Sequence, residues 1–307
     1  MTTLAPPAVR VKEPTAAGRG RSGSVAWMAL PALLMFIAFG VVPLLGVLGL
    51  SFTTWDGLGT IHVTGLTSWK AELKDPELPH SLWVTFKIMI LSWLVQTPIS
   101  ILIGVFLASF KRYRGLLAVL YFIPLLLSSV AISITYKALL DPNFGLGTGL
   151  GIGFLNQDWL GSSTLAIWVL VFVVSWQYIP FHSLIYQGAV RQIPTSMLEA
   201  AQIDGAGRMR QFFSITLPQI KYTIITSSTL MVVGSLTFFD LIYVLTAGGP
   251  GDSTRALALE MYRKGFMANL MGPASAIAVI LVLVGLLLAQ LLRRLGGRGD
   301  ESQLEGA

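Results

Sequence analysis

Runs of about twenty apolar residues, the length a helix needs to cross a bilayer, recur along this chain and constrain its fold more than any other feature. They place helices near residues 25–51, 82–108, 116–140, 164–188, 222–246 and 270–292. Pro43, Pro98, Pro124 and Pro180 fall inside these runs, which membrane helices tolerate when neighbours satisfy the freed carbonyls. Only 12% of the residues are charged against 54% hydrophobic. The expected fold class is therefore an all-α membrane protein with six transmembrane helices. The first run is too long for a signal-peptide core and lacks a cleavage site followed by a polar mature domain.

The net charge of +6 would suggest nucleic acid in a soluble chain, but membrane topology accounts for it, so no nucleic-acid partner is expected. Basic residues gather in residues 1–24, at Lys111, Arg112 and Arg114, around Arg191, Arg208, Arg210 and Lys221, and at Arg293, Arg294 and Arg298. The loops between are acidic or balanced, as from Glu72 to Glu77 and around Asp141 and Asp158. Both termini and the central polar island are thus expected on the cytoplasmic side of the cell membrane. The division expected is a disordered cytoplasmic tail over 1–24, a transmembrane domain over 25–295, and a cytoplasmic tail over 296–307. With no cysteine, and with His62, His80 and His182 in no ligand spacing, neither disulfide nor metal chemistry is expected.

The polar island from about 190 to 220 is too patterned for a slack linker. Ser196 and Glu199 have the spacing of a capping box, so a short helix is expected to start there. Asp204-Gly205 reads as its end, with glycine supplying the left-handed conformation. A second short helix is expected from about Arg208, burying Phe212, Phe213, Ile215 and Leu217 before Pro218 breaks it. The two form a hairpin that needs a socket.

These residues resemble the EAA loop of binding-protein-dependent ABC importer permeases. Glu199-Ala200-Ala201, then Asp204-Gly205-Ala206, Phe212, Ile215, Thr216, Leu217 and Pro218 stand where that family places them, while Tyr222 stands where it often has a further proline. A second stretch, Phe239-Asp240 through Leu245-Thr246-Ala247-Gly248-Gly249-Pro250, with Tyr262 and Gly272-Pro273-Ala274, is similar to carbohydrate permeases of the maltose and glycerol-3-phosphate uptake systems. Asp141-Pro142-Asn143-Phe144-Gly145 resembles an outer loop of sugar permeases. The resemblance implies the type I ABC importer permease (MetI-like) fold, with Glu199, Ala200, Ala201, Asp204, Gly205, Phe212, Leu217 and Pro218 coupling to a cytoplasmic ATPase. The partners implied are a sister permease, two ATPase subunits, an extracytoplasmic solute-binding protein and a sugar, with the same machine for a non-sugar solute such as glycerol-3-phosphate or its diesters as the alternative. ATP and Mg would be held by the ATPases, with no cofactor on this chain.

A sugar path through a bilayer needs hydroxyl partners and aromatic faces inside the bundle. Trp176, Gln177, Tyr178 and Phe181 in the fourth run, and Ser235, Thr237, Phe238 and Asp240 in the fifth, supply that mixture. Asp240 either serves the path or caps a helix end. Ser128 and Ser129 are expected to bond preceding carbonyls, and His182 reads as structural. The glycine run 145–153 lacks the register of a phosphate loop, and the chain carries no Walker A, H-E-x-x-H or G-x-S-x-G sequence. A non-catalytic subunit is expected; an intramembrane enzyme would have to be built on Asp240 and Glu260 alone.

Overall fold

The computed structural model describes residues 23–108 and 112–296. The expected tails, apart from their innermost residues, and Lys111 lie outside the described residues. The chain divides into two compact units, one up to Gly46 and one from Val47.

The first unit carries α1 (Gly23–Phe36), a π-helical turn (Ile37–Val41) and the start of α2 (Val42–Leu50). Helix thus begins at Gly23, inside the expected tail. Trp27 and Phe39 are 74% and 78% exposed, as suits a helix that is apolar all round.

In the second unit, β1 (Thr53–Thr54) pairs antiparallel with β2 (His62–Val63), and α3 (Thr67–Lys74) leads into α4 (Glu77–Ala108). Then come α5 (Arg112–Leu126), α6 (Ser129–Leu139), α7 (Leu146–Leu150), a 3-10 turn (Gly153–Asn156) and α8 (Ser163–Arg191). The polar island holds α9 (Thr195–Ile203), α10 (Arg208–Gln211), a π-helical turn (Phe212–Thr216) and α11 (Leu217–Gln219). Next are α12 (Lys221–Ser235), α13 (Asp240–Leu245), α14 (Leu257–Tyr262), a π-helical turn (Arg263–Met267) and α15 (Met271–Gly296).

Four helices among the described residues are long and apolar enough to cross a membrane unbroken: Trp27–Leu50, Glu77–Ala108, Ser163–Arg191 and Met271–Leu295. The other two expected spans are interrupted. The run at 116–140 is bent by 94° between Gly115–Leu126 and Ser129–Leu139, where Ser128 turns extended at ψ 135. The run at 222–246 breaks over 236–239. There Ser235 and Thr237 hydroxyls donate to the carbonyls of Val232 (2.8 Å) and Gly234 (2.8 Å), side-chain bonds that compete with the helical ladder.

The parallel pair α4 and α8 forms the spine, with Ser100 against Ile179 and Leu107 against Gln187. Gly104 lets the backbones close, since a Cβ there would stand 2.8 Å from the Ser183 carbonyl oxygen and 2.8 Å from Tyr186 Cβ, the small-residue packing that membrane helices favour. Around the spine, Val84, Ile88, Leu170, Val173, Ile242 and Leu259 anchor one apolar cluster. At the far end of α4 and α8, Ile101, Tyr186, Ile193 and Ile220 anchor a second.

Candidate functional site

Both helix breaks meet at one cavity of about 360 Å³. Non-helical backbone at membrane depth persists only where protein buries it or where it lines a polar cavity, so the breaks mark this space. The freed Leu127 carbonyl accepts from Gln177 Nε2 (3.4 Å), which also meets Ser129 Oγ (3.1 Å). Ser129 therefore pairs across helices instead of bonding a preceding carbonyl.

Of the path residues expected from sequence, Tyr178, Phe181, Ser235, Thr237, Phe238 and Asp240 line the cavity. Tyr178 stacks on Phe238 with centroids 5.7 Å apart, joining α8 to the broken segment. Trp176 and Gln177 do not line it. Successive helical residues turn about 100°, and Trp176 emerges on another face, edge-on to Tyr136 at 5.5 Å. Gln177 is buried behind the wall on Ser129 and Leu127. Asp240 stands in the first turn of α13, after Phe239 at the N-cap with no side-chain cap bond, and it lines the cavity.

Sequence reasoning missed the contribution of α4. Ser92, Trp93 and Gln96 line the same cavity, and the polar pair Ser92 and Gln96 at i, i+4 was the available signal. Trp93 Nε1 donates to Ser228 Oγ at 2.9 Å. His182, also in the wall, pairs its Nδ1 with Ser227 Oγ at 2.9 Å. Its partner lies 45 residues away in sequence.

The island forms a hairpin at the end of the spine. α9 starts at Thr195 with Pro194 at its N-cap and no side-chain cap bond. The expected capping box is not made, because Pro194 at φ −58 sets the entry one residue before Ser196. Its C-terminal end is a Schellman motif: Ala206 N–H donates to the Ala201 carbonyl (2.8 Å) and Gly205 N–H to Gln202 (3.0 Å). Gly205 sits at φ +75, as its sequence position suggested. Phe212, Ile215 and Leu217 pack onto the Ile101, Tyr186 and Ile220 cluster, while Phe213 is 57% exposed, contrary to its expected burial. Pro218 does not end the helix; the widened turn over Phe212–Thr216 accommodates it, and the break comes at Ile220. No residue of α9 is buried. Glu199, Ala200, Asp204 and Gly205 are exposed and Ala201 is half-buried.

The opposite end is cross-linked. Lys264 Nζ meets both oxygens of Glu72 at 2.8 Å and Asp75 Oδ2 at 2.6 Å. Arg255 Nη1 lies 2.9 Å from Glu77 Oε2 and 3.7 Å from Glu260 Oε2, and Arg255 also pairs with Asp252. Glu260, considered above for an intramembrane enzyme, is thus part of an ion network. Burial raises the Glu260 carboxyl above its ordinary value, and burial likewise raises Glu72 against the pull of Lys264. The Lys264 hydrogen bond lowers Asp75. Nearby, the Leu245 to Pro250 turn is tied by Thr254 Oγ1, which donates to the Gly249 carbonyl (2.9 Å) and meets Thr246 Oγ1 (2.7 Å).

Four helices long and apolar enough to cross a membrane, two further apolar runs interrupted around one cavity of mixed lining, and an exposed helical hairpin are the features of a multi-pass membrane subunit. The chain belongs to the family of binding-protein-dependent transport system inner membrane components, which its residues 96–298 match. A probable ABC transporter permease protein of Pyrococcus horikoshii is 32% identical over 266 residues, covering 84% of this chain and 90% of that protein. The multiple sugar-binding transport system permease protein MsmF of Streptococcus mutans is 30% identical over 256 residues, covering 82% and 88%. In fold the chain is similar to one in the crystal structure of a bacterial ABC transporter involved in the import of the acidic polysaccharide alginate. The TM-score is 0.79 at 22% identity, over 91% of this chain and 97% of that one. The fold is that of a type I ABC importer permease, and the chain is a non-catalytic membrane subunit.

Proposed function

We propose that this permease carries a carbohydrate, that its path runs through the cavity between α4, α8 and the broken α12 and α13, and that the 195–219 hairpin couples it to ATPase subunits. The carrying observation is the convergence of both helix breaks on one cavity whose wall mixes hydroxyls, amides and aromatic faces. Sugar-transport relatives support the solute class.

In this reading the chain makes six crossings, counting each interrupted run as one. The hairpin and both termini face the cytoplasm, and the ion-paired end faces the solute-binding protein. A sister permease completes the path, and two ATPases bind ATP and Mg. Glu199, Ala200, Ala201, Asp204 and Gly205 present the docking helix, while Phe212, Leu217 and Pro218 root it in the bundle. Closure of the ATPases on nucleotide pulls α9 and rocks the bundle between inward-facing and outward-facing states around a fixed site. Two distinct sites thereby bias one two-state element.

The test is ATP hydrolysis by the complex in proteoliposomes. Solute-loaded binding protein is expected to stimulate hydrolysis in step with sugar uptake. Turnover of a substrate by this chain alone, without ATPase subunits, would contradict the reading.

A further inference from the structure

Resting on the carbohydrate reading, we infer that the solute is uncharged, recognised through its hydroxyl groups, and that Asp240 excludes phosphorylated and uronic acid sugars. Among the described residues, the cavity wall carries one formal charge, Asp240, and no lysine or arginine. His182, the other titratable side chain of that kind in the wall, has Nδ1 committed to Ser227.

An anionic sugar entering this space would leave water without meeting a cation from this chain, a transfer that costs several kcal/mol for an unpaired ion, and would face the Asp240 carboxylate as a like charge. A neutral sugar meets the reverse conditions. An ionised carboxylate accepts hydrogen bonds from hydroxyls, and these charge-assisted bonds are about twice as strong as neutral ones.

A second observation points the same way. Ser92, only 3% exposed, lies in the wall with no hydrogen-bond partner for its Oγ. Buried hydroxyls without a partner are uncommon in folded proteins. Here a sugar hydroxyl can supply one, since Ser92 both donates and accepts. The fold alone does not set this charge class, because a similar fold serves an importer of an acidic polysaccharide.

The experiment uses the full complex, with its sister permease, ATPases and binding protein, in proteoliposomes. The probes are neutral di- and trisaccharides, the matching uronates, glycerol 3-phosphate and glycine betaine. Neutral sugars are expected to accumulate at least about tenfold faster than their anionic counterparts. Asp240→Asn, assayed with the same binding protein, is expected to narrow that ratio by about tenfold. Ser92→Ala is expected to raise the half-saturating sugar concentration about twofold to tenfold.

Uronate or phosphate uptake equal to that of neutral sugar, or a ratio untouched by Asp240→Asn, would overturn the inference while leaving a carbohydrate importer standing. An unchanged half-saturating concentration in Ser92→Ala would overturn hydroxyl recognition at that wall. Uptake of glycine betaine with no sugar of either charge would remove the carbohydrate reading itself, and the inference with it.

Discussion

At one end of the bundle, Lys264 and Arg255 hold carboxylates from α3, from the start of α4 and from α14 within a few ångströms of one another. At the other end, α9 projects Glu199 and Asp204 with no ion pair among the described residues and leaves Ile203 87% exposed and Met209, beyond the turn, 70%. The first end satisfies its charges within the chain, although Glu72 and Asp75 are roughly 190 residues from Lys264. The second is well rooted through Phe212, Ile215 and Leu217 but has an outer face with nothing packed on it. In the proposed reading, the end that is not finished internally is the one held by the ATPase.

The comparison breaks first at Lys264. Lys264→Ala leaves the buried Glu72 carboxylate unpaired and is expected to cost about 3–5 kcal/mol, read as a lower thermal midpoint of the solubilised complex. An unchanged midpoint would mean that the cross-links contribute nothing. Gly104→Ala tests the spine joining the two ends. Its new methyl meets backbone and Cβ at 2.8 Å, so a loss of about 1–3 kcal/mol is expected, measured in the same assay.

At the hairpin, Gly205→Val forces a β-branched residue to φ +75 at about 1–2 kcal/mol, although open space surrounds the site. Membrane insertion is expected to persist, while sugar uptake per ATP hydrolysed falls sharply; Glu199→Lys is expected to do the same. Normal coupling in both would remove the docking role.

The smallest effect is in pH. Asp75 sits below its ordinary 3.8, so its contribution to stability is present above that value and lost as the pH falls through it. Glu260 sits above its ordinary 4.5. The folded state therefore holds its proton more tightly, and its contribution fades as the pH rises past 4.5. Glu260→Gln is expected to stabilise the complex at neutral pH by on the order of 1 kcal/mol, with the gain shrinking toward pH 4.5. A thermal midpoint followed across that range checks the sign.

What was legible in the sequence follows from how local each determinant is. The Gly205 stop and the rooting residues Phe212 and Leu217 lie within one short segment, so their spacing carried the hairpin. Pro194 at the helix entry was overlooked because Ser196 and Glu199 offered a more familiar signal. Hydropathy marked all six apolar runs but not the two breaks, which depend on partners such as Gln177 for Leu127. Two turns of α8 gave Tyr178 and Phe181, while Gln177 fell behind the wall and Trp176 on another, exposed face because helical rotation separates neighbours. The ion network left no local trace. Glu72, Asp75 and Glu77 read only as an acidic loop until Lys264 and Arg255 met them.

The central claim, that the 195–219 hairpin is seated on an ATPase subunit, has a direct measurement. The chain has no cysteine, so Ala200→Cys introduces a single exposed thiol on α9, and a thiol-specific crosslinker can be applied to the assembled complex. The account predicts a crosslinked product between this chain and the ATPase whose yield changes when ATP is added, with none from a cysteine at Gly57 on the opposite end. Ala200→Cys linked only to the solute-binding protein, or to no subunit at all, would contradict it.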